Sequence, residues 1–143
     1  MGSLDDTICA VATPMGEGGV GIVRVSGAHA LRAASRILRL RSGKSLEQIK
    51  PYQLYLGQFV WNPMQTGKIL ERESFSVLDE VLVVTMRAPR SYTGEDVVEV
   101  HAHGGPVIVN AICEALTQAG ARLAEPGEFT KRGFLNGRLD LTQ

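Results

Sequence analysis

The stretch LDEVLVVTMRAP, Leu78 to Pro89, constrains the fold of this chain more than any other. Between Val81 and Met86 it is apolar at odd and even positions alike. A strand built from it has two faces to hide, which places it inside a sheet with cover on both sides. Pro89 ends it, because proline cannot donate to a strand ladder. A chain of 143 residues has the size of one ordinary domain and buries roughly two-thirds of the surface its unfolded form would expose.

Other segments supply partners for that strand. TICAVAT (Thr7 to Thr13) reads as a strand, PMGEGG as a glycine loop and VGIVRVS (Val20 to Ser26) as a second strand. Val20, Ile22 and Val25 cannot all share one face, so period alone leaves the buried side open. Arg24 is a cation within apolar surroundings and needs a partner or water. SGAHALRAASRILRL predicts a helix capped by Ser26, with Leu31, Ala34 and Leu38 facing inward and an end near Leu40. After a polar loop, PYQLYLGQFVW alternates as a strand, with Leu54, Leu56 and Phe59 inward around a glycine irregularity. NPMQTG is a turn signal from which Lys68 to Leu70 can pair back as a hairpin arm.

DVVEVHA predicts a strand with Val98, Val100 and Ala102 on one face and Glu99, His101 and His103 on the other. Gly105 and Pro106 suit the Ncap and N1 positions of a helix carrying Ile108, Ala111, Ile112, Ala115 and Ala119 at helical spacing, with Gly120 as its stop. A further short helix is expected from Glu128 to Asn136. The fold class is α+β: a mixed or antiparallel sheet with about three helices. Residues 1–6 read as an unstructured start or an expression remnant, and 7–138 as the domain. Residues 139–143, with Asp140 as a helix cap, read as the first piece of a following helical domain.

Fifteen Lys and Arg balance fifteen Asp and Glu, so no global field holds nucleic acid without sequence preference. Arg32, Arg36 and Arg39 form a local basic cluster at helical spacing, with Arg41 just beyond, and read as a solvated helix face. Cys9 and Cys113 lack zinc spacing and read as reduced core thiols in a cytosol-like compartment. No apolar run approaches a membrane span, so a soluble, cytoplasmic protein is expected.

GKS, Gly43 to Ser45, ends like a phosphate-binding loop. The full pattern requires a glycine where this chain has Leu38 and a strand where it has a helical pattern. GEGGVG precedes a strand instead of opening a helix and fails the dinucleotide fingerprint. Neither GTP binding nor GTP hydrolysis is expected of this chain. His101 and His103 have the spacing by which a strand presents two imidazoles to one metal, and Glu99 adds a carboxylate on the same face. Glu99 with Arg24 and Arg138 makes better chemistry for a flat, nitrogen-rich ligand with an acidic tail. A carboxylate accepts two parallel hydrogen bonds from an amino-pyrimidine edge, and guanidinium forks hold carboxylates. A plain solvated sheet face is the third reading, and on the residues alone it is the preferred one.

Three separated stretches, ATPMGEGGVGIVRVSG, SYTGEDVVEVHAHGGP and EPGEFTKRGFLNGRLDLTQ, together resemble the N-terminal domain of the tRNA-modifying GTPase family MnmE, also called TrmE. The resemblance implies a fold like the folate-binding domain of glycine-cleavage T-protein, a tetrahydrofolate derivative (5-formyl or 5,10-methylene) as cofactor, and a homodimer. By the same resemblance Arg24 contacts the ligand, Glu99 faces the pterin and Arg138 stands where the family has a lysine, while His101 and His103 line or brace that face. No catalytic or metal-ligating residue is implied in this chain. In the family the full-length protein uses GTP, Mg and K, and acts with the FAD-dependent partner MnmG on the wobble uridine of tRNA, to which the folate supplies a one-carbon unit at C5. A dimerisation module without folate affinity, and a metal-dependent enzyme using Glu99, His101 and His103 that retains stoichiometric zinc or iron, are the alternatives.

Overall fold

The computed structural model describes residues 6–13, 19–61, 77–103 and 105–137. Its strands are β1 (Ile8–Thr13), β2 (Gly21–Ser26), β3 (Leu38–Leu40), β4 (Tyr55–Val60), β5 (Val77–Met86), β6 (Val97–Ala102) and β7 (Arg122–Leu123), and its helices are α1 (Ala30–Ser35), α2 (Pro106–Gln118) and α3 (Glu128–Leu135). The strands form one sheet in the order β3-β4-β5-β6-β2-β1-β7. Its pairs are antiparallel except β1 with β7. The α+β class with a mixed sheet is therefore the observed one.

As its composition demands, β5 lies inside the sheet between β4 and β6, with Val81, Val83, Val84 and Thr85 all buried. On one face of the sheet, Cys9, Val23, Val25, Val81, Val83, Val98, Val100 and Ala102 pack with Leu31, Ala34, Ile112 and Leu116 from α1 and α2 into the main core. Val23 and Val25 thus settle the side that the period of β2 leaves open. Arg24 and Glu99, one position out of phase with those valines, stand on the opposite face.

The first helix is much shorter than its periodicity suggests. α1 stops at Ser35, the amides of Arg36 and Ile37 bond back three residues, and Leu38 to Leu40 become an edge strand on β4. Pairing hides Leu38 and Leu40 while leaving Arg39 outward, and this tertiary gain overrides helix propensity. Nor does Ser26 cap α1. Its hydroxyl is buried, 2.7 Å from Thr93 Oγ1 and 2.8 Å from Glu95 Oε1, while Thr7 Oγ1 accepts the His29 amide proton at 3.0 Å.

In β4, Phe59 is buried, Leu56 only partly so, and Leu54 lies exposed before the strand begins. The irregularity expected at the glycine falls elsewhere: Gly57 pairs in register with Leu40 and Val81, the shift lies between Phe59 and Val60, and glycine is favoured at 57 because a Cβ there would sit 3.1 Å from the Arg39 carbonyl oxygen. α2 starts as expected, with Gly105 at its N-cap (φ 97°) and Pro106 following. β7 carries no sequence signal, being only two residues long. The hairpin arm Lys68 to Leu70, residues 14–18 of the glycine loop, and Asp140 lie outside the described residues. No described helix is long and apolar enough to cross a membrane.

Candidate functional site

Antiparallel pairing of β2 with β6 sets Arg24 directly opposite Glu99, and Ile22 opposite His101. Directly paired residues project to the same face, so the cation of one strand meets the carboxylate of the other without any loop to place them. Arg24 donates to Glu99 Oε2 from Nε at 2.9 Å and from Nη2 at 2.8 Å. His101 Nε2 lies 3.3 Å from Glu99 Oε1, a bond in which the ring nitrogen donates, because a carboxylate only accepts. The Glu99 side chain is 13 % exposed, Arg24 24 % and His101 22 %. The His101 hydrogen bond, opposed by burial and seconded by Arg24, holds the Glu99 carboxyl below its ordinary range. Glu99 is thus a fixed, ionised carboxylate at a partly open surface.

Two aromatic rings flank the arginine of the pair. The Arg24 guanidinium lies 5.6 Å from the ring centre of Tyr92 and 5.5 Å from that of Phe129, within cation–π range of both. Tyr92 comes from the segment between β5 and β6, and Phe129 from α3. The two are joined by a 2.8 Å hydrogen bond between the Tyr92 hydroxyl and Thr130 Oγ1, and by Asn136 Nδ2 donating to the Thr93 carbonyl at 2.9 Å.

Beneath them lies a buried charge network. Arg132 on α3 has no exposed surface and donates to the Asp6 carbonyl at 2.6 Å, to Asp6 Oδ1 at 2.6 Å and to Glu95 Oε2 at 3.1 Å. Arg122 on β7 bonds Asp6 Oδ2 at 2.8 Å and Glu128 Oε2 at 2.7 Å. With Arg122 as the main cause, the Glu128 carboxyl is pulled down to about 2, and that of Asp6 is lowered too. Arg132 ties α3 to Glu95, whose carboxylate also accepts from Ser26 on β2, so the network fixes the helix that carries Phe129 against the strand that carries Arg24.

Of the expected site residues, Arg24 and Glu99 are brought together and His101 joins them as a brace. His103 lies exposed beyond the end of β6. Arg138 lies outside the described residues. Among the described residues no group of three or more His, Cys, Asp or Glu is arranged to hold a metal ion.

The family described as the GTP-binding protein TrmE N-terminus matches residues 7–138. This chain belongs to that family. It is similar to the tRNA modification GTPase MnmE of Carboxydothermus hydrogenoformans, with 50 % identity over 140 residues covering 98 % of the chain and 28 % of the relative. Proteins of the same name from Geobacillus kaustophilus and Bacillus subtilis are 49 % and 46 % identical over 138 residues, each alignment covering 96 % of the chain and 28 % of the relative. The chain therefore spans little more than a quarter of the curated relatives it matches, and corresponds to their N-terminal domain.

Tyr92, Phe129 and Arg132 are the TrmE N-terminal site residues that sequence reasoning passes over. Each lies inside a stretch that carries the family resemblance, yet no local period marks it. Only the packing of α3 against the segment before β6 gives them a common place.

Proposed function

We propose that this TrmE N-terminal domain binds a tetrahydrofolate one-carbon donor, in its 5-formyl or 5,10-methylene form, on the Glu99 face of the sheet. The carrying observation is Glu99 itself, a carboxylate kept ionised at a partly open surface and locked in orientation by Arg24 and His101. A carboxylate offers about four lone-pair positions. Arg24 fills Oε2 with two N–H donors and His101 takes one position on Oε1, so one position on Oε1 is open to an N–H of an amino-pyrimidine edge, and the second N–H of that edge takes the place of one of the Arg24 bonds. Tyr92 and Phe129 add apolar ring surface for a flat heterocycle, and the donor set fits the group. Arg24 orients Glu99 and keeps positive charge in the site, and Arg138 is proposed to meet the acidic tail.

When bound, the folate supplies a one-carbon unit. This domain's residues bind and orient it. In the full-length protein that unit is destined for C5 of the wobble uridine of tRNA, in the cytoplasm, together with an FAD-dependent MnmG partner. GTP, Mg and K belong to domains beyond this chain. The domain also mediates homodimerisation in this reading. Calorimetric titration of the chain with 5-formyltetrahydrofolate tests the binding claim: saturable heat at one site per chain supports it. A dimer that gives no heat of binding would leave only a dimerisation module.

A further inference from the structure

Two sequence features remain outside the Glu99 face: the run of arginines around α1 and the segment Gly43–Ser45. The fold brings them to one edge of the sheet. From Ala30 to Lys50 the chain carries Arg32, Arg36, Arg39, Arg41, Lys44 and Lys50, six of its fifteen cations, against Glu47 alone of its fifteen carboxylates. All seven of these side chains are exposed. Arg32 and Arg36 lie four residues apart on the outer side of α1. Arg39 turns back from the edge strand β3 and donates to the carbonyls of Ser35 at 2.9 Å and Leu38 at 2.8 Å, which sets its charge at the end of α1 beside Arg36. A cleft of ≈ 340 Å³ opens there, where Leu38, Leu40 and Leu46 lie beside Arg39, Lys44 and Ser45. Among the described residues Glu80, 3.8 Å from Arg41, is an acidic neighbour, and two groups so exposed attract each other weakly.

We infer that this edge is an RNA-backbone binding surface, with Arg32, Arg36 and Lys44 contacting phosphates along one strand. A chain that is neutral as a whole yet concentrates cations on one edge carries equal negative charge elsewhere. It therefore orients a polyanion instead of coating itself with one. The contacts lack base-reading geometry, so they position an RNA and leave sequence to other parts of the assembly. The choice of RNA over other polyanions rests on the tRNA-modification reading. The surface is separate from the Glu99 face, and its test requires no folate.

The experiment is fluorescence anisotropy of this chain with labelled unmodified tRNA transcript across 25–200 mM salt. Wild type is compared with the double variant Arg36→Ala/Lys44→Ala, and with Lys131→Ala as a control at an exposed cation of α3. Each phosphate contact contributes a slope of roughly 0.7–0.9 in log affinity against log salt. The double variant should flatten that slope by about 1.5 and weaken binding ten- to a hundred-fold at ~50 mM salt. Lys131→Ala should change neither. All these positions are exposed, and matching melting curves verify folding. Undetectable tRNA binding by wild type at 25 mM salt would overturn the inference, as would equal slopes for wild type and double variant. Tighter association with phosphatidylserine vesicles than with tRNA, lost in the same double variant, would reassign the surface to a membrane and overturn it as well.

Discussion

Replacing Arg132 by methionine keeps most of the side-chain volume and removes the charge from the centre of the network beneath α3. Arg132 has no exposed surface, and its partners Asp6, Glu95 and Glu128 are one-third exposed or less. Without the arginine, three carboxylates remain in that space with Arg122 as their nearby cation, and the Asp6 carbonyl loses a donor. Removing one member of a buried ion network typically costs about 3–5 kcal/mol, because the groups left behind stay desolvated and unpaired. For a domain of this size that corresponds to a fall in Tm on the order of 10–20 °C. Thermal unfolding followed by circular dichroism at pH 7 reads it directly. The same comparison at pH 4 sharpens the argument, since carboxylates stripped of their cation take up protons there and lose their repulsion, so the gap between wild type and variant should narrow. Adding Glu95→Gln to the variant should recover part of the loss at pH 7. A fall below about 2 °C, or a gap that is constant with pH, would refute the assignment of Arg132 as the pin that holds α3 in place.

Two further outcomes follow from the same geometry. Glu128, pulled down to about 2, and Asp6, also lowered, contribute stability that is fully present above the ordinary carboxylate range. It is lost as pH falls from about 4.5 towards 2, so urea midpoints should be level from pH 7 to 5 and drop below that, and a midpoint unchanged at pH 3 would contradict it. His101→Ala removes the leading cause of the depressed Glu99 carboxyl, so the acid-side loss of folate affinity should begin at higher pH in the variant, with affinity at pH 8 reduced less. Parallel pH profiles from fluorescence titration would count against His101 as the brace.

Periodicity carries far where one face of an element is buried and the other is not. It places Val98, Val100 and Ala102 opposite Glu99 and His101, it starts α2 at Gly105–Pro106, and it marks β5 as an interior strand. It fails where pairing partners are distant in sequence. Leu38 lies in phase with Leu31 and Ala34, and only β4, some twenty residues later, turns it into a strand. Ser26 has the chemistry of a helix cap, but Thr93 and Glu95 claim its hydroxyl, and α1 starts after His29 without a side-chain cap. The Arg24–Glu99 pair is half legible, since both residues stand out as polar groups in apolar strands while their register is a tertiary fact. Glu99 is also more enclosed than a solvated face would be, because Arg24 and His101 bond it and leave its side chain 13 % exposed.

That enclosure sets the control for the central measurement. Glu99→Gln keeps shape but replaces one acceptor oxygen by an amide donor that faces the donor edge of the pterin and removes the charge opposite Arg24. The loss of a hydrogen bond to a charged group is worth about 1.5–3 kcal/mol, or roughly ten- to a hundred-fold in affinity. Unliganded stability should fall by only a few degrees, since the Arg24 pair is partly solvated. Wild type and Glu99→Gln titrated side by side with 5-formyltetrahydrofolate in a calorimeter, with melting curves of both free proteins, test the account most directly. It predicts saturable binding by wild type, affinity at least ten-fold weaker in the variant, and a folded variant. Equal affinities in two folded proteins would remove Glu99, and with it this face of the sheet, from the binding site.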